Sequence, residues 1–200
     1  MHKAKSLPGN LDNCCTYDRS LIELLLPHRP PFLMVDEITS YTGGKNPCLL
    51  ANYSVKDNEL GYFGIESDGH WPSIYVVEGL GQACNLLIVI YALEKGLTET
   101  DLKIIDMGEV LNKLMHDEPD EPTRILIGFL NQRLMEPYSD VGFLGSADLE
   151  ITGHARQGQV ISYQVQMNQA FGSLFHSSVR AYADNNLIAR GTLVSASRKV

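Results

Sequence analysis

Positive charge is scarce in this sequence. Its 200 residues hold 16 Lys and Arg against 24 Asp and Glu, a formal net charge of −8, and the basic residues are scattered. No basic face is available to neutralise successive phosphates, so nucleic-acid binding is set aside. Cysteine is sparse as well. Cys14, Cys15, Cys48 and Cys84 form no CxxC pair and, with the histidines and carboxylates, no metal-ligand spacing, so reduced thiols and no metal are expected. Long apolar runs are missing: the most apolar stretch, Leu86 to Leu93, is too short to span a bilayer. The start of the chain, MHKAKSLPGNLDNCC, is mildly basic and is not followed by a continuous apolar segment. A secretory signal is therefore not expected, the chain is read as cytoplasmic with no membrane partner, and the sequon Asn52-Tyr53-Ser54 is read as chance. There is no GxSxG nucleophile motif. Gly79-Leu80-Gly81 opens like a dinucleotide fingerprint, but Cys84 stands where the third glycine belongs and no strand precedes it. No cofactor is expected.

What is present is ordinary globular material, 44% hydrophobic and 20% charged, enough for one core. The expected organisation is a flexible leader over residues 1–20 and a single domain over 21–200 with an insertion at about 97–137. Tyr17 to Leu26 has apolar residues at helical spacing and is stopped by Pro27. LMVDEITSY (33–41) and CLLANYSV (48–55) flank Gly43-Gly44 and read as a hairpin. The segment 74–93 is too long and too apolar for a strand and reads as a helix, with Gly96 as its C-cap. Residues 97–122 carry a possible short helix and an acidic, proline-broken run. From residue 123 on, strands are expected over TRILIGFL, VGFLGSADLEITG, VISYQVQMN, LFHSSVRAYA and LIARGTLVSAS. In VISYQVQMN, Ile161, Tyr163, Val165 and Met167 share one face, and Asp184-Asn185-Asn186 supplies a turn between the last two strands.

The predicted fold class is α+β: an antiparallel sheet wrapped around one long central helix, the layout called the hotdog. On that helix Glu78, Gln82 and Asn85 fall on one stripe, at i, i+4 and i+7. A polar stripe on a buried helix needs partners.

LLPHRPPFLMVDEI, residues 25–38, resembles the opening of the bacterial 3-hydroxyacyl-acyl-carrier-protein dehydratases, and Glu78 with Gln82 is similar to the start of their central helix. The likeness covers residues 21–93 and, loosely, the strands after 140. It implies a hotdog dehydratase whose active pair is a loop histidine and the helix carboxylate, usually from opposite subunits of a homodimer. The carboxylate corresponds to Glu78. An ungapped match puts the family histidine at Gly64, whereas a gapped one, reading His70-Trp71-Pro72 as the family's His-Phe-Pro, makes His70 the equivalent. HWPSIYVVEGLGQ is also similar to divergent hotdog subunits of aryl-polyene and related polyketide-like pathways, which work as heterodimers with a more standard dehydratase subunit.

Dehydration of a 3-hydroxyacyl thioester needs a base for the proton next to the carbonyl, an acid for the departing hydroxyl, and donors for the enolate-like oxygen. A neutral imidazole serves as base near pH 7. His70 and Glu78 are the expected catalytic residues. Gln82, amides near Val76 and Val77 at the helix start, Trp71 and Phe63 are the expected substrate contacts, while His28 and Arg29 are expected to shape the turn before the first strand. The expected partner is an acyl-carrier-protein or coenzyme A thioester, bound by a homodimer or a heterodimer with a related hotdog subunit. Alternatives are a catalytically incomplete subunit of such a heterodimer and a hotdog thioesterase that uses Glu78 on water. Without the resemblance, each residue has a plainer reading, since acidic groups near helix starts are often only favourable electrostatics.

Overall fold

A computed structural model describes residues 17–56, 69–99 and 143–196. The chain order is α1 (Arg19–Leu25), β1 (Glu37–Thr42), β2 (Cys48–Ser54), β3 (His70–Trp71), α2 (Ser73–Glu99), β4 (Phe143–Ile151), β5 (Ala155–Arg156), β6 (Val160–Phe171), β7 (Leu174–Ala183) and β8 (Asn186–Ala196). Six strands form one antiparallel sheet in the order β1-β2-β6-β7-β8-β4, and β3 pairs with β5 separately. This is the α+β arrangement expected, with one long helix packed against an antiparallel sheet.

The local chemistry explains the elements. Asp18 caps α1 by accepting from the Ser20 amide, satisfying one of the donors a helix start leaves over. In β6 the residues Ile161, Tyr163, Val165 and Met167 are buried while those between are not, the period-2 pattern of a strand with one covered face. Asp184 and Asn185 both take positive φ, 45° and 71°, as the tight hairpin between β7 and β8 requires. What covers the sheet is α2, through Leu80, Ala83, Leu86, Leu87, Ile90 and Leu93, all buried. Against the expectation that the apolar run is too short, residues 73–95 are long and apolar enough to cross a bilayer, with a mean hydropathy of 1.7 over an 18-residue window, and their burial against the sheet accounts for the apolarity.

Three other expectations change. The helix does not stop at Gly96 but runs to Glu99, because glycine inside a helix costs only about 1 kcal/mol and does not by itself end one. Leu33, Met34 and Val35 are buried core residues but precede β1 instead of belonging to it. The short pairing of β3 with β5 was not anticipated; two-residue strands carry no periodicity to detect. Of the expected leader, residues 1–16 lie outside the described residues; Tyr17 is buried and bridges Ile38. The expected insertion, apart from the last residues of α2, and the strand TRILIGFL also lie outside them.

Candidate functional site

The polar stripe on α2 meets the chain that leaves α1. Gln82, only 1% exposed, uses its whole amide there. Its oxygen accepts from the Met34 amide at 2.8 Å, and its nitrogen donates to the Phe32 carbonyl at 2.6 Å and to Glu78 Oε1 at 2.8 Å. A buried backbone donor must find an acceptor, and residues 32–34 form no sheet ladder. Gln82 replaces that ladder and ties the segment to the helix. Ahead of it, the Arg29 guanidinium donates to the carbonyls of Leu26 and His28 at 2.9 and 2.8 Å, closing the turn as expected.

His28 does more than shape that turn. Its Nε2 lies 3.6 Å from Glu78 Oε1, and its Nδ1 is buried with no hydrogen-bond partner among the described residues. Sequence reasoning missed this contact because no spacing rule links a loop residue before β1 to a helix after β3. Glu78 itself is open, its side chain 46% exposed. Ile74, one turn earlier on α2, is 66% exposed, and Phe32, whose carbonyl accepts from Gln82, is 58% exposed.

Behind the carboxylate, Gly79 faces Tyr163 of β6 so closely that a Cβ on the glycine would collide with the phenol. The Tyr163 hydroxyl is buried without a partner among the described residues. Burial pushes its pKa well up, and the negative charges of Asp36 and Glu78 push it further, since both oppose the phenolate. Tyr163 therefore stays a neutral hydroxyl behind the Glu78 turn. Asp36 is itself held by Arg19 at 2.6 Å and by the Ser54 amide at 2.8 Å.

The remaining expected site residues are distributed as follows. His70 lies on β3 opposite Arg156, with its ring edge-on to His154 at 5.6 Å between centroids. Trp71 is buried between Tyr53 and Tyr75, at 5.7 and 5.1 Å between ring centroids. Val76 is buried and Val77 half-buried in the first turns of α2; with the helix starting at Ser73, the Val77 amide falls opposite the Ser73 carbonyl in the helix ladder. Asn85 is half-buried further along the stripe. Phe63 and Gly64 lie outside the described residues. Among the described residues, no group of three or more His, Cys, Asp and Glu is placed to hold a metal.

No family model matches the chain. The 3-hydroxyacyl-[acyl-carrier-protein] dehydratase FabZ of Nitratiruptor is 23% identical over 175 residues, covering 86% of this chain and 91% of that one. FabZ of Wolinella succinogenes is 31% identical over 90 residues, 44% of this chain and 58% of the relative. In sequence the chain is similar to the FabZ dehydratases. In structure it is similar to a chain of the dehydratase heterocomplex ApeI:P from Xenorhabdus doucetiae, with a TM-score of 0.55 and 14% identity over 89% of this chain and 91% of that one. That likeness establishes a shared hotdog fold. The stronger identity spans little more than half of the Wolinella enzyme, and the longer match, to the Nitratiruptor enzyme, is at 23% identity.

Proposed function

We propose that the protein is a lyase that removes water from 3-hydroxyacyl thioesters, presented on an acyl-carrier protein or coenzyme A. The observation that carries this reading is the Glu78 carboxylate: exposed, held by Gln82, and near the start of the long helix of a chain similar to FabZ. His70 is the base that takes the proton from the carbon next to the thioester carbonyl. Glu78 delivers a proton to the 3-hydroxyl as its C–O bond breaks, so the products are one water and a 2-enoyl thioester. Amides of the first turn of α2, near Val76, receive the carbonyl oxygen as negative charge builds on it. Trp71 and Phe63 border the acyl chain, and the open apolar rim at Ile74 and Phe32 receives the chain or a second subunit.

The reading needs no cofactor beyond the pantetheine arm of the substrate. It includes a single domain in the cytoplasm, and a dimer in which His70 and Glu78 of opposite subunits share a site. A related hotdog subunit can replace the second copy. The test is to incubate the purified protein with a 3-hydroxyacyl thioester on carrier protein or pantetheine and follow the acyl group by mass spectrometry. Loss of one water, reduced at least about 100-fold by His70→Ala and by Glu78→Gln, is the expected result. Release of free acid would instead identify a thioesterase. No turnover alone, restored by a second hotdog subunit, would make the chain the incomplete half of a heterodimer.

A further inference from the structure

Beyond the His70 and Glu78 pair, and resting on the dehydratase reading, we infer that His28 is the positioning residue of the reacting carboxylate: with Gln82 it holds Glu78 Oε1, which leaves Oε2 as the oxygen that meets substrate. The two contacts come from different directions. Gln82 lies one turn along the same helix and donates at 2.8 Å, while the His28 Nε2 reaches over from the loop after α1 at 3.6 Å. That loop is not free to drift. Arg29 closes its turn on the carbonyls either side of Pro27, and Gln82 binds it again at Phe32 and Met34.

The imidazole is poised in the same sense. A neutral histidine carries its proton on one nitrogen only. Nδ1 is buried with no acceptor among the described residues, so a proton there would be an unsatisfied donor, whereas on Nε2 it points to a carboxylate. Nε2 is thereby the nitrogen that faces Oε1. At 3.6 Å the contact is longer than a hydrogen bond, as catalytic contacts often are before substrate binds. Glu78 Oε2 has no hydrogen-bond partner among the described residues. A carboxylate pinned at one oxygen offers the other in a fixed direction, and a misplacement of about 1 Å at such a group costs on the order of 100-fold in rate.

The experiment compares wild type, His28→Ala, His28→Gln, Glu78→Gln and the double variant His28→Ala/Glu78→Gln in the dehydration assay, with thermal unfolding of each. A positioning role predicts that His28→Ala lowers kcat about 10-fold or more with KM unchanged. His28→Gln, which keeps an N–H donor on a side chain of similar reach, recovers most of the lost rate. The double variant is no slower than Glu78→Gln alone, because there is no carboxylate left to hold. The inference is overturned by wild-type kcat in His28→Ala, by a change confined to KM, or by a His28→Gln that is folded but as slow as the alanine variant. If wild type itself releases no water, the dehydratase reading fails and takes this inference with it; if wild type turns over while the His28 variants match it, only the inference fails.

Discussion

Gln82 shows how one side chain can decide both a fold contact and a site. Its amide is the only link described between the Met34 amide and the helix, and it also steadies Glu78. Replacing it with leucine keeps the volume but leaves a buried donor unpaired. We expect Gln82→Leu to lose about 1–3 kcal/mol of stability, read from the denaturant midpoint, together with activity. An unchanged midpoint would show that Met34 finds another acceptor. At the same scale Cys84 makes a pH prediction. Burial pushes its thiol from an ordinary value near 9 up to about 12. The unfolded chain gives up that proton at the lower pH, so the stabilisation is complete below pH 9 and is lost as pH rises toward 12. Tyr41 and Tyr163 are raised as well, the first by burial and then by Glu94, and act in the same direction. Urea titrations at successive pH values should show a midpoint falling above pH 9, and iodoacetamide should leave Cys84 unlabelled in the native protein at pH 8. Labelling of native Cys84 at that pH would contradict its burial.

Among the elements, α2 and β6 set the site by their closest approach. Gly79 exists in that helix at a cost to helix propensity, and the cost is explained by the Tyr163 ring that occupies the space of a Cβ. Gly79→Ala must therefore move the tyrosine or the helix, at about 1–3 kcal/mol. A Gly79→Ala/Tyr163→Phe double variant, which takes away the hydroxyl nearest the new methyl, should recover part of that loss. A Gly79→Ala variant as stable as wild type, by thermal unfolding, would place the ring elsewhere. The helix, the hairpin and the terminal strands were legible in the sequence from local signals: the length and apolarity of α2, the Gly43-Gly44 turn, and a period of two along β6. The end of α2 was not, since glycine marks a permitted stop and not a required one. Nor was β3, where His70 and Trp71 have too few residues to show alternation.

On the scale of the whole molecule, the shared-site model has a direct consequence. If His70 of one subunit serves Glu78 of the other, neither His70→Ala nor Glu78→Gln should turn over alone. Mixing the two and allowing random exchange should restore about a quarter of wild-type activity, since half of the dimers are mixed and each has one intact site of two. A monomer by light scattering, or a mixture that stays inactive after proven exchange, would remove the model. The open state of Glu78 and its apolar rim is the feature of the single chain that this arrangement would cover.

Composition, periodicity and one motif were enough to place an antiparallel sheet around an apolar helix, to separate this chain from nucleic-acid binders and from enzymes with a dinucleotide fingerprint or a GxSxG motif, and to single out Glu78 and Gln82. These are local properties: they follow from which residues lie three, four or two positions apart. The partners of Glu78 are not local. His28 reaches it because the loop after α1 is drawn across the helix by Gln82, and Tyr163 reaches its neighbour because β6 runs beneath the same turn. Only the folded path brings those side chains together, because contacts between distant segments depend on how the sheet and helix pack and on no spacing along the chain.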